Sequence, residues 1–361
     1  MELKPLQIGD LIIKYPIIQG GMGVGISRSK LAGAVSANGG LGIISSAQIG
    51  YDEPEFNKNQ HQANINAIHK HIKKAKQISG GKPVGINIMV ALKNYESQVK
   101  ASVAAGANVI ISGAGLPMHL PEYVEGSGCK IAPIVSSEKA AVIILRNWAK
   151  KYNRTADFIV IEGPEAGGHL GFKKEQLSIT KEEYDNEIKK IIATVKEFEE
   201  KFEKKIPVIV AGGIFNNSDI CHALSLGASG VQIASRFVAT YECDANERYK
   251  QAYINASDKD IEIIMSPVGM PGRALRNKFV SFIKEKQIPV DKCFNCLKKC
   301  NPAKVPYCIT KALVDAVLGD IDNGLIFAGA NVGRINKIVS VHELMEELVG
   351  HNKSDMRGRL C

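Results

Sequence analysis

Phe158-Ile159-Val160-Ile161-Glu162 runs directly into Gly163-Pro164-Glu165-Ala166-Gly167-Gly168-His169-Leu170-Gly171. The opening apolar run has no polar alternation. It reads as a strand buried on both faces, and such strands belong to parallel sheets. The strand delivers a carboxylate, several glycines and a histidine to one loop. Strand ends followed by such loops carry the chemistry of α/β folds. Glycine lets backbone amides approach a ligand, and histidine is the side chain whose ordinary pKa lies near neutrality.

Working outward, seven further runs have the same character: Tyr15–Gln19, Gly40–Ser45, Pro83–Met89, Val109–Gly113, Lys130–Val135, Pro207–Gly212 and Gly230–Ala234. Helical patterns lie between them. Ser27 or Ser29 is placed to cap a stretch reaching Ala37, and others cover 57–78 and 96–105. Ser136 and Ser137 precede a stretch to Tyr152, Thr180 one to Phe202, and Asn216 one to Leu226. Eight strands alternating with helices is the count of a closed TIM (β/α)8 barrel of the α/β class. An open doubly wound sheet would carry one glycine-rich loop after its first strand, whereas here glycines follow nearly every strand. The expected organisation is a barrel over 1–240, a segment over 241–310 covering its mouth, and C-terminal helices and a tail over 311–361. The part after the barrel reads as mainly helical, with Ser266–Arg276 a loop and helical patterns at 310–318 and 341–348. Arg273 and Arg276 in that loop are expected at the surface.

The chain's 361 residues suffice for such a barrel with an appendage, and its 34 glycines fit many tight loops. No apolar run approaches bilayer length and the N-terminus lacks a secretory pattern, so a cytoplasmic protein with no membrane partner is expected. The net charge of +9 is spread over lysines interleaved with glutamates, as in 196–205, which describes a solvated helix face rather than a nucleic-acid surface. Only the tail 351–359 is locally basic. The charge supports a bias towards small anionic ligands. A homodimer is left open.

The strand ends assemble a candidate site. Gln19-Gly20-Gly21-Met22 closes the first run, Asn87 and Met89 the third, Ser112-Gly113 the fourth, Glu162 and the histidine loop the sixth. Gly212-Gly213 and Gln232-Ile233-Ala234-Ser235 close the last two, where barrels commonly bind phosphate through bared amides and a short helix. A phosphate held there, with Gly20 to Met22 and Asn87 across the mouth, suits a flat, mostly apolar cofactor such as FMN.

Gln19-Gly-Gly-Met22, Gly85-Ile-Asn-Ile-Met89, Glu165-Ala-Gly-Gly-His-Leu-Gly171, Ala211-Gly-Gly-Ile214 and Gln232-Ile-Ala-Ser-Arg236 together resemble the nitronate monooxygenase family, formerly called 2-nitropropane dioxygenases. The FMN-dependent enoyl-acyl-carrier-protein reductases share that superfamily. The resemblance covers about residues 1–240 and implies an FMN-binding barrel. It places Gly21, Met22 and Asn87 against the ring or ribityl chain, with Ser112 and Glu162 lining that region. Gly167 and Gly168 lie under the cofactor, Gly212, Gly213, Ala234 and Ser235 hold its phosphate, and Gln232 is a further contact. By spacing alone His169 is as readily structural as catalytic; the resemblance makes it the catalytic residue. The implied reaction oxidises alkyl nitronates with O2 to a carbonyl compound and nitrite. The alternative is an enoyl-thioester reductase using NAD(P)H.

Cys293, Cys296, Cys300 and Cys308 fall in one short segment with spacing C-x2-C-x3-C-x7-C. Four close thiols suit a tetrahedral zinc or a [4Fe-4S] cluster. The spacing is not that of a paired zinc ribbon, and it resembles, in reduced form, the cluster loop of some FMN-dependent barrel reductases, which favours iron–sulfur. A set of reduced cysteines without metal is the other reading.

Overall fold

The computed structural model describes residues 3–350; the basic tail 351–359 lies outside them. Eight strands form one parallel sheet: β1 (Ile17–Gln19), β2 (Gly42–Ser45), β3 (Val84–Met89), β4 (Val109–Gly113), β5 (Lys130–Val135), β6 (Ile159–Glu162), β7 (Val208–Ala211) and β8 (Gly230–Ile233). Each coincides with one of the apolar runs. Successive strands pair from β2 to β8, and β8 returns to β1. The seam between β1 and β2 is closed by a single bridge, Ile18 to Leu41, with backbone bonds from Gln19 to Leu41 and from Leu41 to Ile17, both 2.9 Å. The buried Gln19 amide reinforces it, accepting from Ile43 N at 3.1 Å and donating to Ile43 O at 3.2 Å. The result is a closed TIM barrel.

The apolar runs are continuous because neighbouring residues serve two cores. Ile18, Ile43, Val109, Ile111, Val160 and Ile209 belong to an inner cluster. Ile44, Ile86, Ile110, Ile161, Val210 and Val231 belong to an outer cluster shared with the helices. The period-two alternation of a strand supplies both. The inner cluster is completed by Leu6, Ile8 and Ile13 of an N-terminal antiparallel hairpin, Leu6–Ile8 with Leu11–Ile13, which covers the barrel floor beside Phe158.

Most expected helix starts are present. Ser137 accepts from Ala140 N at 3.3 Å, and Thr180 and Asn216 form reciprocal capping boxes with Glu183 and Asp219. The helix Ser29–Ala37 differs: neither Ser27 nor Ser29 caps it. The Ser27 hydroxyl instead accepts from Met22 N at 2.7 Å, and the Asp244 carboxylate takes Arg28 N at 2.8 Å and Leu31 N at 3.2 Å.

Beyond the barrel lie helices Glu247–Ile254, Lys278–Glu285, Ile309–Val317 and Val341–Leu348. The expected loop 266–276 is instead the turn and second strand of a hairpin, β9 (Ile261–Met265) with β10 (Pro271–Leu275). β10 pairs in turn with the two-residue strand Gly168–His169. Phe279, Leu325 and Leu344 share the outer cluster with barrel residues, so this region is packed onto the barrel.

At Gly42 a Cβ would overlap the Ala32 carbonyl oxygen, because the helix Ser29–Ala37 lies directly on β2. Gly42→Ala is therefore expected to destabilise the chain by about 2–3 kcal/mol in denaturant titration, the cost of an overpacked core. An unchanged midpoint would show that helix and strand can separate freely.

Candidate active site

Strand parity determines which side chains reach the barrel mouth. On β3, Ile86 and Ile88 join the outer cluster and Asn87 turns inward; on β6, Ile161 is outer and Glu162 inner; on β8, Val231 and Ile233 are outer and Gln232 inner. These three line a cavity of about 250 Å³ at the carboxyl ends of the strands. Gly21, Met22, Gly167, Gly168, His169, Gly212, Gly213, Ala234 and Ser235 line it as well. Ser112 does not. Ile111 faces inward, so Ser112 faces the helices, is 0% exposed, and its Oγ lies 2.8 Å from the Tyr95 hydroxyl.

Of the loops after β7 and β8, the first needs bare backbone. Gly212 and Gly213 take φ of +86° and +87°, where a side chain is strained. A Cβ on Gly212 would stand 2.9 Å from the Gly163 backbone, and one on Gly213 would meet the Glu165 carboxylate. A late segment, 327–331, straps these loops together. Gly329 N donates to Ser235 Oγ (3.0 Å), Ala330 N to Glu165 O (3.0 Å), and Asn331 Nδ2 to Gly213 O (2.8 Å). The strap also gives Gly167 a second reason, since a Cβ there would sit 2.6 Å from the Ala328 carbonyl carbon. Phe327 and Asn331 line the cavity, and their sequence surroundings gave no sign of it.

His169 is held from several sides. Its strand pairs with Gly272 and Arg273, and Leu170 N donates to Pro271 O at 2.8 Å. His169 Nε2 lies 2.7 Å from Ser266 Oγ, and its ring meets Phe327 edge-on with centroids 5.0 Å apart. Burial pushes the imidazole pKa down to about 4, so it is neutral at neutral pH. Burial pushes the Glu162 carboxyl up to about 7, against the opposing pull of the Gly171 amide, which donates to it at 2.8 Å. Arg273, expected at the surface, is only 7% exposed; its guanidinium donates to Pro164 O at 2.8 Å and to Ala166 O, fixing the turn before His169. Arg276 does lie at the surface, paired with Glu262.

The four clustered cysteines lie outside this cavity, on a segment whose backbone joins the chain just after β3. Lys93 N donates to Cys296 O and Lys298 N to Ala91 O, both at 3.0 Å. Among the described residues, no group of three or more His, Cys, Asp or Glu side chains is placed to hold a metal ion. The expected zinc or iron–sulfur ligation is therefore not assembled in this conformation.

The rim fits the cofactor that the sequence resemblance implies. The glycine-bared loop at Gly212-Gly213 and Ser235 stand at one side, and Gly168 has open space where a Cβ would be. Asn87 and Gln232 contribute amide side chains at the inward positions.

Comparison with known proteins agrees with this geometry. FabK from Thermotoga maritima superposes with a TM-score of 0.73 at 29% identity, covering 96% of this chain and 94% of that one. A probable nitronate monooxygenase of Staphylococcus saprophyticus is 26% identical over 313 residues, 79% of this chain and 82% of that protein. The (3aS,4S,5R,7aS)-5-hydroxy-7a-methyl-1-oxo-octahydro-1H-indene-4-carboxyl-CoA dehydrogenase of Mycobacterium tuberculosis is 26% identical over 268 residues, 74% of this chain. The match spans 65% of that dehydrogenase's length. Residues 4–351 match the nitronate monooxygenase family, and the chain belongs to it.

Proposed function

We propose that the chain is an FMN-dependent oxidoreductase that oxidises alkyl nitronates with O2 to a carbonyl compound and nitrite. The observation that carries this reading is a neutral imidazole, His169, fixed on the rim of a glycine-bared cavity. Gly212, Gly213, Ala234 and Ser235 would hold the FMN phosphate. Gly21, Met22, Asn87, Glu162, Gly167, Gly168 and Gln232 would surround the remainder. Bound FMN supplies the electron acceptance that no side chain here provides.

The chain's own contribution is proton handling and positioning. A neutral imidazole can take the proton from the carbon bearing a nitro group, or hydrogen-bond a nitronate oxygen. In the tautomer whose Nε2 donates to Ser266 Oγ, Nδ1 keeps its lone pair and is the base. With its pKa near 4, His169 is not the cation that would attract a nitronate by charge alone. Phe327 and Met22 present apolar surface to the cavity, which strengthens each polar contact inside it.

A second reading is reduction of an enoyl thioester with NAD(P)H. The carboxyl-CoA name of the mycobacterial relative favours it. Anaerobic mixing separates the two: bleaching of the bound flavin by a nitronate but not by NADH supports the first reading, and rapid bleaching by NADH supports the second.

His169→Ala should lower kcat/KM for a neutral nitroalkane by about a hundredfold or more while flavin content is unchanged. Full turnover by that variant would remove the assigned role. Ser266→Ala, which removes only the orienting partner, should cost about tenfold.

Glu162 gives a pH signature. Its folded pKa is raised from 4.5 to about 7, so its stabilising contribution is complete below pH 4.5 and is lost as pH rises through about 7. Glu162→Gln should therefore flatten the fall in thermal midpoint between about pH 5 and 8. Parallel curves for variant and parent would show that the carboxyl is solvated.

A further inference from the structure

Residues 286–308 contain no helix and only one bridging residue, an unusual length of irregular chain in a packed fold. Such a segment lacks the ladder hydrogen bonds that hold its neighbours and needs another source of order. It is tied to the barrel by the Leu92–Leu297 bridge with its flanking bonds, by Lys292 Nζ donating to Asn57 Oδ1 at 2.7 Å and by Phe294 stacked on Phe56, and it is pinched near its ends by Ile288 N donating to Pro306 O at 2.8 Å. Cys293, Cys296 and Cys300 lie within that pinch and Cys308 just beyond it, and none is in a disulfide.

All four cysteines line one small cavity, together with Phe294, Leu297 and other apolar side chains, separate from the barrel mouth. The first turn has the form of a metal-binding knuckle. Asn295 takes φ of +50° and its amide donates to Cys293 Sγ at 3.3 Å. A bond of that kind stabilises charge on a thiolate sulfur. Cys308 stands immediately before the nine-residue helix Ile309–Val317, as its N-cap.

We infer that this four-cysteine cavity is a thiolate centre for a thiophilic metal, either zinc or iron with inorganic sulfide. The four cysteines border one space, although no three of them are placed to hold an ion among the described residues, so binding would have to draw them together. The centre lies beside the barrel mouth. Cys296 is bonded through its backbone to the stretch that follows Met89, and the helix that Cys308 caps carries Leu313; both Met89 and Leu313 line the larger cavity. The metal would staple the wall of the mouth as well as its own loop.

The test is a titration of the intact, reduced protein with Co2+ under anaerobic conditions, read by absorption. One equivalent per chain should give intense sulfur-to-cobalt charge-transfer bands and the strong visible bands of tetrahedral coordination. Cys296→Ser and Cys300→Ser should weaken binding at least tenfold, while Cys129→Ser, a buried thiol elsewhere, should leave it unchanged. Retention of one equivalent of zinc, with no iron or acid-labile sulfide, after loading with both metals and desalting identifies a zinc centre. Retention of iron and acid-labile sulfide after anaerobic loading and desalting identifies a cluster. A protein that gives no thiolate–cobalt band and retains neither zinc nor iron overturns the inference, whatever the variants do. Flavin content measured on the same samples keeps this outcome apart from the fate of the FMN reading.

Discussion

The site depends on a very short antiparallel pairing, Gly168–His169 against Gly272–Arg273. Eight barrel strands can bring a loop to the rim, but they cannot fix where its side chains point. The crossing strand does that, and the Arg273 guanidinium adds bonds to the carbonyls of Pro164 and Ala166. An arginine this buried is costly unless its donors are used. Here they are spent on backbone oxygens that a turn would otherwise leave to water. The hairpin thus serves the histidine loop as a splint, and Ser266 in its turn reaches the imidazole itself.

The barrel gives up packing to make room for a ligand. Below the rim, the inward positions are Ile18, Ile43, Val109, Ile111 and Val160, which fill the interior as a normal core. At the rim, inward positions become Asn87, Glu162 and Gln232, and the connecting loops become glycine. Polar groups placed there lose hydration without gaining full partners, which is why Glu162 resists ionisation and His169 resists protonation. The same loss of solvent makes the site receptive to a large ligand with matching donors and acceptors.

Much of this is legible in the sequence. Burial on both faces writes each barrel strand as an uninterrupted apolar run, and Ser137, Thr180 and Asn216 announce their helices through local capping chemistry. What could not be read was set by distant partners. Pro271-Gly272-Arg273-Ala274-Leu275 looks like a loop because its strand character comes from pairing with Ile261–Met265 and with the histidine loop. Asp244 caps a helix more than two hundred residues earlier, a relation that no local pattern contains. Ser112 differs for another reason: in an uninterrupted apolar run nothing local marks which residues face inward, and the structure turns Ile111 in and Ser112 out.

The strap at 327–331 joins Ser235, Glu165 and Gly213, residues translated roughly a hundred or more positions before it. A nascent chain that has already closed its eight strands on the ribosome therefore still lacks one side of its rim. Since domains tend to fold as they emerge, the barrel can exist for a time as a bowl with an unfinished lip. Retention of a cofactor would then begin only once residues 327–331 have left the exit tunnel.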